Sequence, residues 1–95
     1  MIAMQKVQFD FNQITDLAAF YRQFSHVFAL SSAFGANLDA LWDVVTGDIA
    51  MPLEIDFINF DAGKKRRFAA LVLLFEAAEA ELEGELRFNT YDKAA

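Results

Sequence analysis

Three short segments of the chain alternate apolar and polar residues, which is the pattern of a β-strand with one buried face. The first runs from Lys6 to Asn12, the second is opened by Pro52, and the third runs from Glu85 to Tyr91. Proline is tolerated at a first strand position, where its missing N–H group is not needed for pairing. The positions expected to face the core are Val7, Phe9, Phe11, Leu53, Ile55, Phe57, Leu86 and Phe88, and those expected to face outward are Gln8, Asp10, Glu54, Asp56, Arg87 and Asn89.

Apolar residues recur at helical spacing in three further segments. The first helix follows Thr15, which we expect to be its N-cap, with Asp16 in the first turn. The second spans Leu38–Thr46, and the third and longest runs from about Lys64 to Glu83, with Gly84 as the C′ residue. The residues expected to face the core from these helices are Leu17, Phe20, Tyr21, Phe24, Phe28, Leu38, Leu41, Trp42, Val45, Phe68, Leu71, Val72, Phe75 and Leu82.

The order of these elements is strand, helix, helix, strand, helix, strand. Strands that are separated by helices pair in parallel through right-handed crossovers. Parallel strands covered on both faces read as continuous apolar runs, whereas these three alternate, so one face of the sheet should be solvated and the helices should share the other. The pattern therefore predicts one two-layer α/β domain over residues 1–95, with a three-stranded parallel sheet in the order 1-2-3.

Composition narrows the class of protein further. The chain has 95 residues, 56% of them hydrophobic and 11 of them Phe, which is enough for one core. No apolar run approaches the roughly 20 residues of a membrane span, the N-terminus lacks a signal-peptide pattern, and there is no Cys, so we expect a cytoplasmic protein. The net charge of -6 disfavours nucleic acid as a partner and favours a basic protein.

The negative charge is concentrated in the middle of the chain, where no Lys or Arg occurs between Gln23 and Gly63. Asp39 lies near the N-terminus of the second helix, where the helix dipole stabilises a carboxylate. Asp43 lies one turn later, where the dipole is unfavourable and where it repels Asp39. Two interpretations stay open, a solvated acidic face or carboxylates that pair with cations of another molecule. The acidic residues of this stretch are Asp39, Asp43, Asp48, Glu54, Asp56 and Asp61.

The residues give little support to catalysis or metal binding. His26 is the only His, and no Ser, Thr or Tyr is arranged around it as in a catalytic triad. The carboxylates do not show the spacing of a calcium loop, so neither a metal nor a cofactor is expected. Asp39 and Asp43 could act as an acid–base pair, but both lie on one short helix without an obvious cleft. We therefore expect a protein that is not an enzyme.

Two more charge clusters lie on the predicted long helix. The basic run Lys64–Arg67 is at its start, and five glutamates between Glu76 and Glu85 are near its end, so both clusters would oppose the helix dipole. A solvated surface explains them, and a second contact site or head-to-tail self-association is the alternative. The sequence does not fix the oligomeric state, for which a monomer is the expectation.

The segment Phe34–Gly47 is the most informative part of the chain. It reads as a glycine-containing loop, an Asn37 helix cap, a short helix and a glycine stop. It resembles, position by position and without a gap, the binding segment of the barstar family of ribonuclease inhibitors. Weaker similarity covers the first strand and helix and the long helix. The matching residues are Gly35, Asn37, Leu38, Asp39, Ala40, Leu41, Trp42, Asp43, Thr46 and Gly47, followed at the matching distance by Pro52 and Leu53.

This resemblance implies the same two-layer fold and a function as an inhibitor. Members of the family plug the active site of a small basic ribonuclease with this loop and helix, so the expected partner is a secreted ribonuclease. Asp43 resembles the aspartate that pairs with Arg and His groups of the catalytic site in place of substrate phosphate, and Asp39 resembles a second aspartate that faces an arginine. The partner-binding residues expected on the surface 33–48 are Phe34, Gly35, Asn37, Asp39, Trp42, Asp43, Thr46, Gly47 and Asp48.

The chain also departs from the family pattern at the edge of this surface. Ala33 and Phe34 stand where the family protein has two tyrosines, Asp48 stands where it has a tryptophan, and Ala77 stands where it has an interface glutamate on the last helix. Because aromatic residues carry much of the energy of an interface, these departures favour a partner other than the family's own target. The alternative function is a non-enzymatic interaction or regulatory module whose partner is not a nuclease.

Overall fold

The computed structural model describes residues 4–31 and 34–94, and these form an α/β fold with a three-stranded parallel sheet. The strand order is β1-β2-β3, which confirms the fold class expected from the alternating segments. Ala33, at the edge of the predicted binding surface, lies outside the described residues. The elements are β1 Gln5–Asp10, α1 Leu17–Val27, α2 Leu38–Gly47, β2 Leu53–Ile58, α3 Ala62–Arg67, α4 Ala69–Glu81 and β3 Leu86–Thr90.

The core is built from phenylalanine rings on the inner face of the sheet and on the helices. Phe57 of the central strand is fully buried, and its ring centroid lies 6.1 Å from that of Phe9, 5.6 Å from that of Phe75 and 4.9 Å from that of Phe88. Edge-to-face pairs of this kind contribute about 0.5–1.5 kcal/mol each beyond the burial of their area. The inward positions predicted for the three strands therefore do form the core face.

The outer face of the sheet is less solvated than the alternation predicts. Asp56 was expected to face solvent, but it is 0% exposed. It lies on the central strand, where its neighbours in the register are Gln8 on β1 and Asn89 on β3. Its Oδ2 lies 3.3 Å from Nζ of Lys6, and its Oδ1 accepts a hydrogen bond of 2.9 Å from the Asn89 amide. Polar side chains from both edge strands thus cover a carboxylate on the strand between them.

The first helix begins one residue later than predicted. Asp16, and not Thr15, is its N-cap, and its Oδ1 accepts a hydrogen bond of 2.8 Å from the N–H of Ala19. Both residue types are good caps, and a carboxylate has the added advantage of the positive end of the helix dipole.

The predicted long helix is two helices, separated at Phe68. Asp61 caps α3, and its Oδ1 accepts a hydrogen bond of 3.0 Å from the N–H of Lys64. The Phe68 ring is buried against Phe11, with 5.1 Å between centroids, and the chain turns there before α4 begins.

The break reverses the expected electrostatics of the basic run. Lys64–Arg67 ends α3, where the dipole favours positive charge, so the prediction that these residues oppose a helix dipole was wrong. At the end of α4 the C-cap is Leu82, which makes Glu83 and not Gly84 the C′ residue; both have positive φ, +43° and +90°.

Candidate functional site

The loop before α2 is fixed by one side chain. Asn37 caps the helix by accepting a hydrogen bond of 2.8 Å at Oδ1 from the N–H of Ala40, and its Nδ2 donates a hydrogen bond of 3.1 Å to the Gly35 carbonyl. A Cβ at Gly35 would lie 3.2 Å from Asn37 Nδ2 and 3.3 Å from the Ala40 Cβ, which is tight. The missing side chain therefore lets the loop lie against the start of the helix.

Phe34 ties the same loop to α1. Its ring is half-buried and packs against Tyr21 and Phe24, with centroid distances of 6.3 and 6.2 Å. Burial raises the pKa of the Tyr21 hydroxyl, in keeping with an apolar setting around these rings. Part of the Phe34 ring is thereby committed to the fold, and the remaining part is accessible to a binding partner.

The inner face of α2 holds the helix on the core. Leu41 and Val45 are fully buried, Trp42 is half-buried, and the helix packs against α4. Leu38 was expected to face the core but is 37% exposed, because it lies in the first turn, beyond the edge of the contact. The Thr46 hydroxyl donates a hydrogen bond of 2.8 Å to the Trp42 carbonyl, so that side chain is turned back onto its own helix.

The outer face of α2 carries unpaired negative charge. Asp39, Asp43 and Asp48 are all exposed. Among the described residues the only ion pair is the one between Lys6 and Asp56, so none of the three has a cationic partner within that part of the chain. Asp48 is the C-cap of α2, and its N–H donates to the Val44 carbonyl at 2.9 Å. This end of the helix is the negative end of its dipole, which makes the position unfavourable for a carboxylate.

A concave pocket of about 290 Å³ opens between the loop and α2. It brings together four predicted binding residues: Phe34, Gly35, Asp43 and Asp48. Two carboxylates that line one pocket can accept several hydrogen bonds from one planar cation, such as a guanidinium or an imidazolium group. The arrangement is therefore suited to a cationic side chain of another protein.

Other predicted residues lie outside this pocket, and some of its lining was not predicted. Asn37 and Thr46 act within the fold, and Asp39, Trp42 and Gly47 lie elsewhere on α2. A Cβ at Gly47 would meet nothing within 4 Å. Ala40 and Val44 could have been identified from the sequence, because they are helix neighbours of Asp43. Nothing in the sequence relates Leu30 and Ser31 to α2. The lining residues that sequence reasoning missed are Leu30, Ser31, Ala40 and Val44.

A larger groove of about 880 Å³ lies beside the pocket, between α1 and the loop. It shares Leu30, Ser31 and Phe34 with the pocket and adds Arg22 and His26 from α1. Over residues 4–31 and 34–94 no group of three or more His, Asp or Glu side chains is placed to hold a metal ion. In the same part of the chain no helix is long and apolar enough to cross a membrane.

Fold and site together define a small α/β protein with an acidic loop–helix surface that can receive a cationic group of a partner. The family model described as Barstar (barnase inhibitor) matches residues 4–91 of the 95-residue chain. The chain therefore belongs to the barstar family, whose members bind ribonucleases as inhibitors and not as enzymes.

Proposed function

We propose that this protein inhibits a small basic ribonuclease by covering its active site with the acidic surface 33–48. The observation that carries the proposal is the pocket that joins Asp43 and Asp48 on a member of the barstar family; neither carboxylate has a cationic partner among residues 4–31 and 34–94. The active site of a ribonuclease must hold the phosphate of RNA with cationic groups. A carboxylate that reaches those groups competes with that phosphate, and Asp43 has this role in the proposal.

A partner that supplies a cation would account for the position of Asp43. The like charge of Asp39 one turn away costs a few tenths of a kcal/mol, and Asp48 adds a further negative charge at the C-terminal end of the helix. A cation of the partner offsets this repulsion and forms a desolvated, hydrogen-bonded charge pair with Asp43. Asp39, in the favourable first turn, supplies a second and weaker attraction.

From Phe34 onward the surface is held by contacts within the fold, which lowers the entropy lost in forming the complex. The Asn37 side chain bonds to the Gly35 carbonyl and caps α2, while Phe34 packs onto α1. Gly47 leaves open space at the C-terminal end of α2, because no atom of the described residues lies within 4 Å of the position that a Cβ would take. The partner therefore meets a rigid acidic ridge with a free approach at its end.

The differences from the family pattern point to the nature of the partner. Asp48 adds a carboxylate to the pocket, and the Phe34 ring is partly committed to α1. Less aromatic contact and more negative charge suit a more basic nuclease than barnase. In the proposal this is a secreted enzyme of the same cell, held inactive in the cytoplasm until export.

The test is a titration of nuclease activity. The protein is added in increasing amounts to barnase and to any nuclease captured from a lysate of the source organism, and RNA cleavage is followed. Stoichiometric loss of cleavage by one of them, reduced by Asp43→Asn and retained by the matched exposed change Asp92→Asn, supports the proposal. A captured partner that has no nuclease activity but still depends on Asp43 would overturn it in favour of a regulatory module. So would equal binding by wild type and Asp43→Asn.

A further inference from the structure

One face of α1 forms a wall of the groove that lies beside the acidic pocket. Its members recur every three or four residues and therefore lie on one side of the helix, next to the side that packs on the core. The opposite wall is the loop that precedes α2. The groove residues contributed by α1 are Ala18, Tyr21, Arg22, Ser25 and His26.

The polar groups of this face can donate hydrogen bonds, and one of them is a permanent cation. Arg22 and His26 are exposed, and neither side chain makes a hydrogen bond or an ion pair with the residues that the structure describes. A guanidinium group only donates, and an imidazole ring has at least one N–H group. Tyr21 and Ser25 add hydroxyl groups to the same lining. The groove is therefore suited to a group that is negatively charged and accepts hydrogen bonds.

Apolar surface lies next to these donors. Tyr21 is 8% exposed, and its ring packs against that of Phe34 on the opposite wall, with 6.3 Å between the centroids. Leu30 is half-buried and belongs to the same opposite wall. A donor flanked by apolar surface interacts more strongly with an anion than a donor in open water does, because less solvent competes for it. The groove thus offers contacts both for a charged group and for the carbon atoms that bear it.

The groove and the acidic pocket are adjacent and have opposite chemistry. The same residues of the loop line both hollows. On the pocket side the charged groups are Asp43 and Asp48. On the groove side they are Arg22 and His26, and the sequence has no other basic residue from position 18 to position 48. A partner large enough to cover the pocket therefore meets the groove as well, with the opposite charge.

We infer that the groove is a second contact site for the nuclease that occupies the acidic pocket, and that it receives an aspartate or glutamate side chain of that enzyme. The inference rests on the proposed function. The carboxylate pairs with the Arg22 guanidinium, which can donate two parallel hydrogen bonds to it, and the methylene groups of the acidic side chain lie against Tyr21 and Phe34. The nuclease must then present a cation and a carboxylate side by side, which distinguishes it from other basic nucleases.

The sign of a charge reversal at Arg22 tests this site. The probes are barnase and any partner captured from the lysate, and calorimetry gives the dissociation constants. If only the overall charge mattered, Arg22→Glu would strengthen binding to a basic partner, as the matched exposed change Arg66→Glu should. We expect Arg22→Glu to weaken binding by about tenfold or more, because two carboxylates then meet in the groove, and Arg22→Lys to retain most of the affinity. Asp43→Asn, measured alongside, tests the proposed function separately.

A bulky residue tests occupation of the groove without a change of charge. Ala18 is exposed and lies one helical turn from Arg22, so Ala18→Trp should fill the groove and weaken binding by about tenfold. Ala70→Trp makes the same change at an exposed position of α4 and should leave binding intact. Circular dichroism checks that each variant is folded.

The outcomes separate the groove site from the proposed function. Binding that either Arg22→Glu or Ala18→Trp leaves unchanged or strengthens, while Asp43→Asn weakens it, overturns the groove site and leaves the inhibitor function standing. If Asp43→Asn has no effect either, or if none of the probes binds, both proposals are wrong.

Discussion

The protein holds aspartates in two opposite ways. On the outer face of the sheet, Asp56 is fully buried, with Lys6 Nζ at 3.3 Å and the Asn89 amide at 2.9 Å. On the outer face of α2, Asp43 and Asp48 are exposed beside a pocket, and neither has a cationic partner in the part of the chain that the structure describes.

The difference separates carboxylates that belong to folding from those that are free to bind. Asp56 has its cation within the chain, in a position set by the register of β1 and β3 on β2, so its energy is part of the stability of the fold. Asp43 and Asp48 form no such ion pair within the described residues, and their negative charges slightly destabilise α2. Their charge becomes favourable only when another molecule supplies the cation.

The largest effect that this comparison predicts is a loss of binding when Asp43 on α2 is changed. Asp43→Asn should weaken the complex with the nuclease by about 2–5 kcal/mol, mostly through faster dissociation, because the cations that Asp43 meets are then left unpaired. Stability should stay unchanged or rise by a few tenths of a kcal/mol, since a repulsion is removed. Surface plasmon resonance and urea unfolding measure the two quantities. A clear drop in stability would show that Asp43 belongs to the fold after all.

The sheet should show the reverse pattern. Lys6→Met removes the cation from buried Asp56 and should lower the free energy of unfolding by about 2 kcal/mol; this is below the usual cost for a buried pair because Lys6 is 52% exposed. Nuclease binding should not change. Urea unfolding of Lys6→Met and of the matched surface change Lys93→Met provides the comparison. Equal midpoints for the two variants would mean that Asp56 needs no cation.

A smaller effect should separate folding and binding at a single residue. Gly47→Ala places a better helix former in the last turn of α2, where the added Cβ meets no atom of the chain, and should raise stability by about 0.5 kcal/mol. The same methyl group fills the clearance for the partner and should weaken binding. Thermal unfolding and a binding titration with one protein preparation test both signs. Tighter binding would show that the open space at Gly47 has no role.

The smallest expected effect concerns acid stability at Asp10. The Asn59 amide, followed by the N–H of Asn12, lowers the pKa of this carboxyl from its ordinary value of 3.8. A lowered pKa in the folded state stabilises the protein above the ordinary value, and this contribution is lost as the pH falls through the folded-state pKa. Asp10→Asn should therefore flatten the pH dependence of unfolding below about pH 4, where Asp92→Asn should not. Parallel curves for the two variants would contradict this role.

Much of the fold could be predicted because it depends on local patterns. Alternation placed Phe9 and Phe57 on the core face, and helical spacing placed Leu41 and Val45 under α2. The strand order followed from the helices between the strands. The Asn37 cap could also be predicted, because an N-cap side chain bonds to a backbone N–H only three residues later.

The remaining features depend on contacts between residues distant in sequence. Asp56 is buried because Lys6 and Asn89 meet over it, and the break at Phe68 follows from the docking of its ring on Phe11. The pocket at Asp43 needs Leu30 from a preceding loop. None of these pairings leaves a trace in spacing or composition, so only the folded chain reveals them.

The position of Trp42 has a practical consequence. It is the single tryptophan of the chain and lies half-buried on α2, next in sequence to Asp43 and in contact with the core. Its fluorescence therefore reports from one place only, with no other indole in the chain to obscure the signal. A shift of its emission on adding a partner would show occupation of the acidic surface, and a larger shift in urea would show exposure of the core. Stability and occupancy can thus be measured optically in the unlabelled protein.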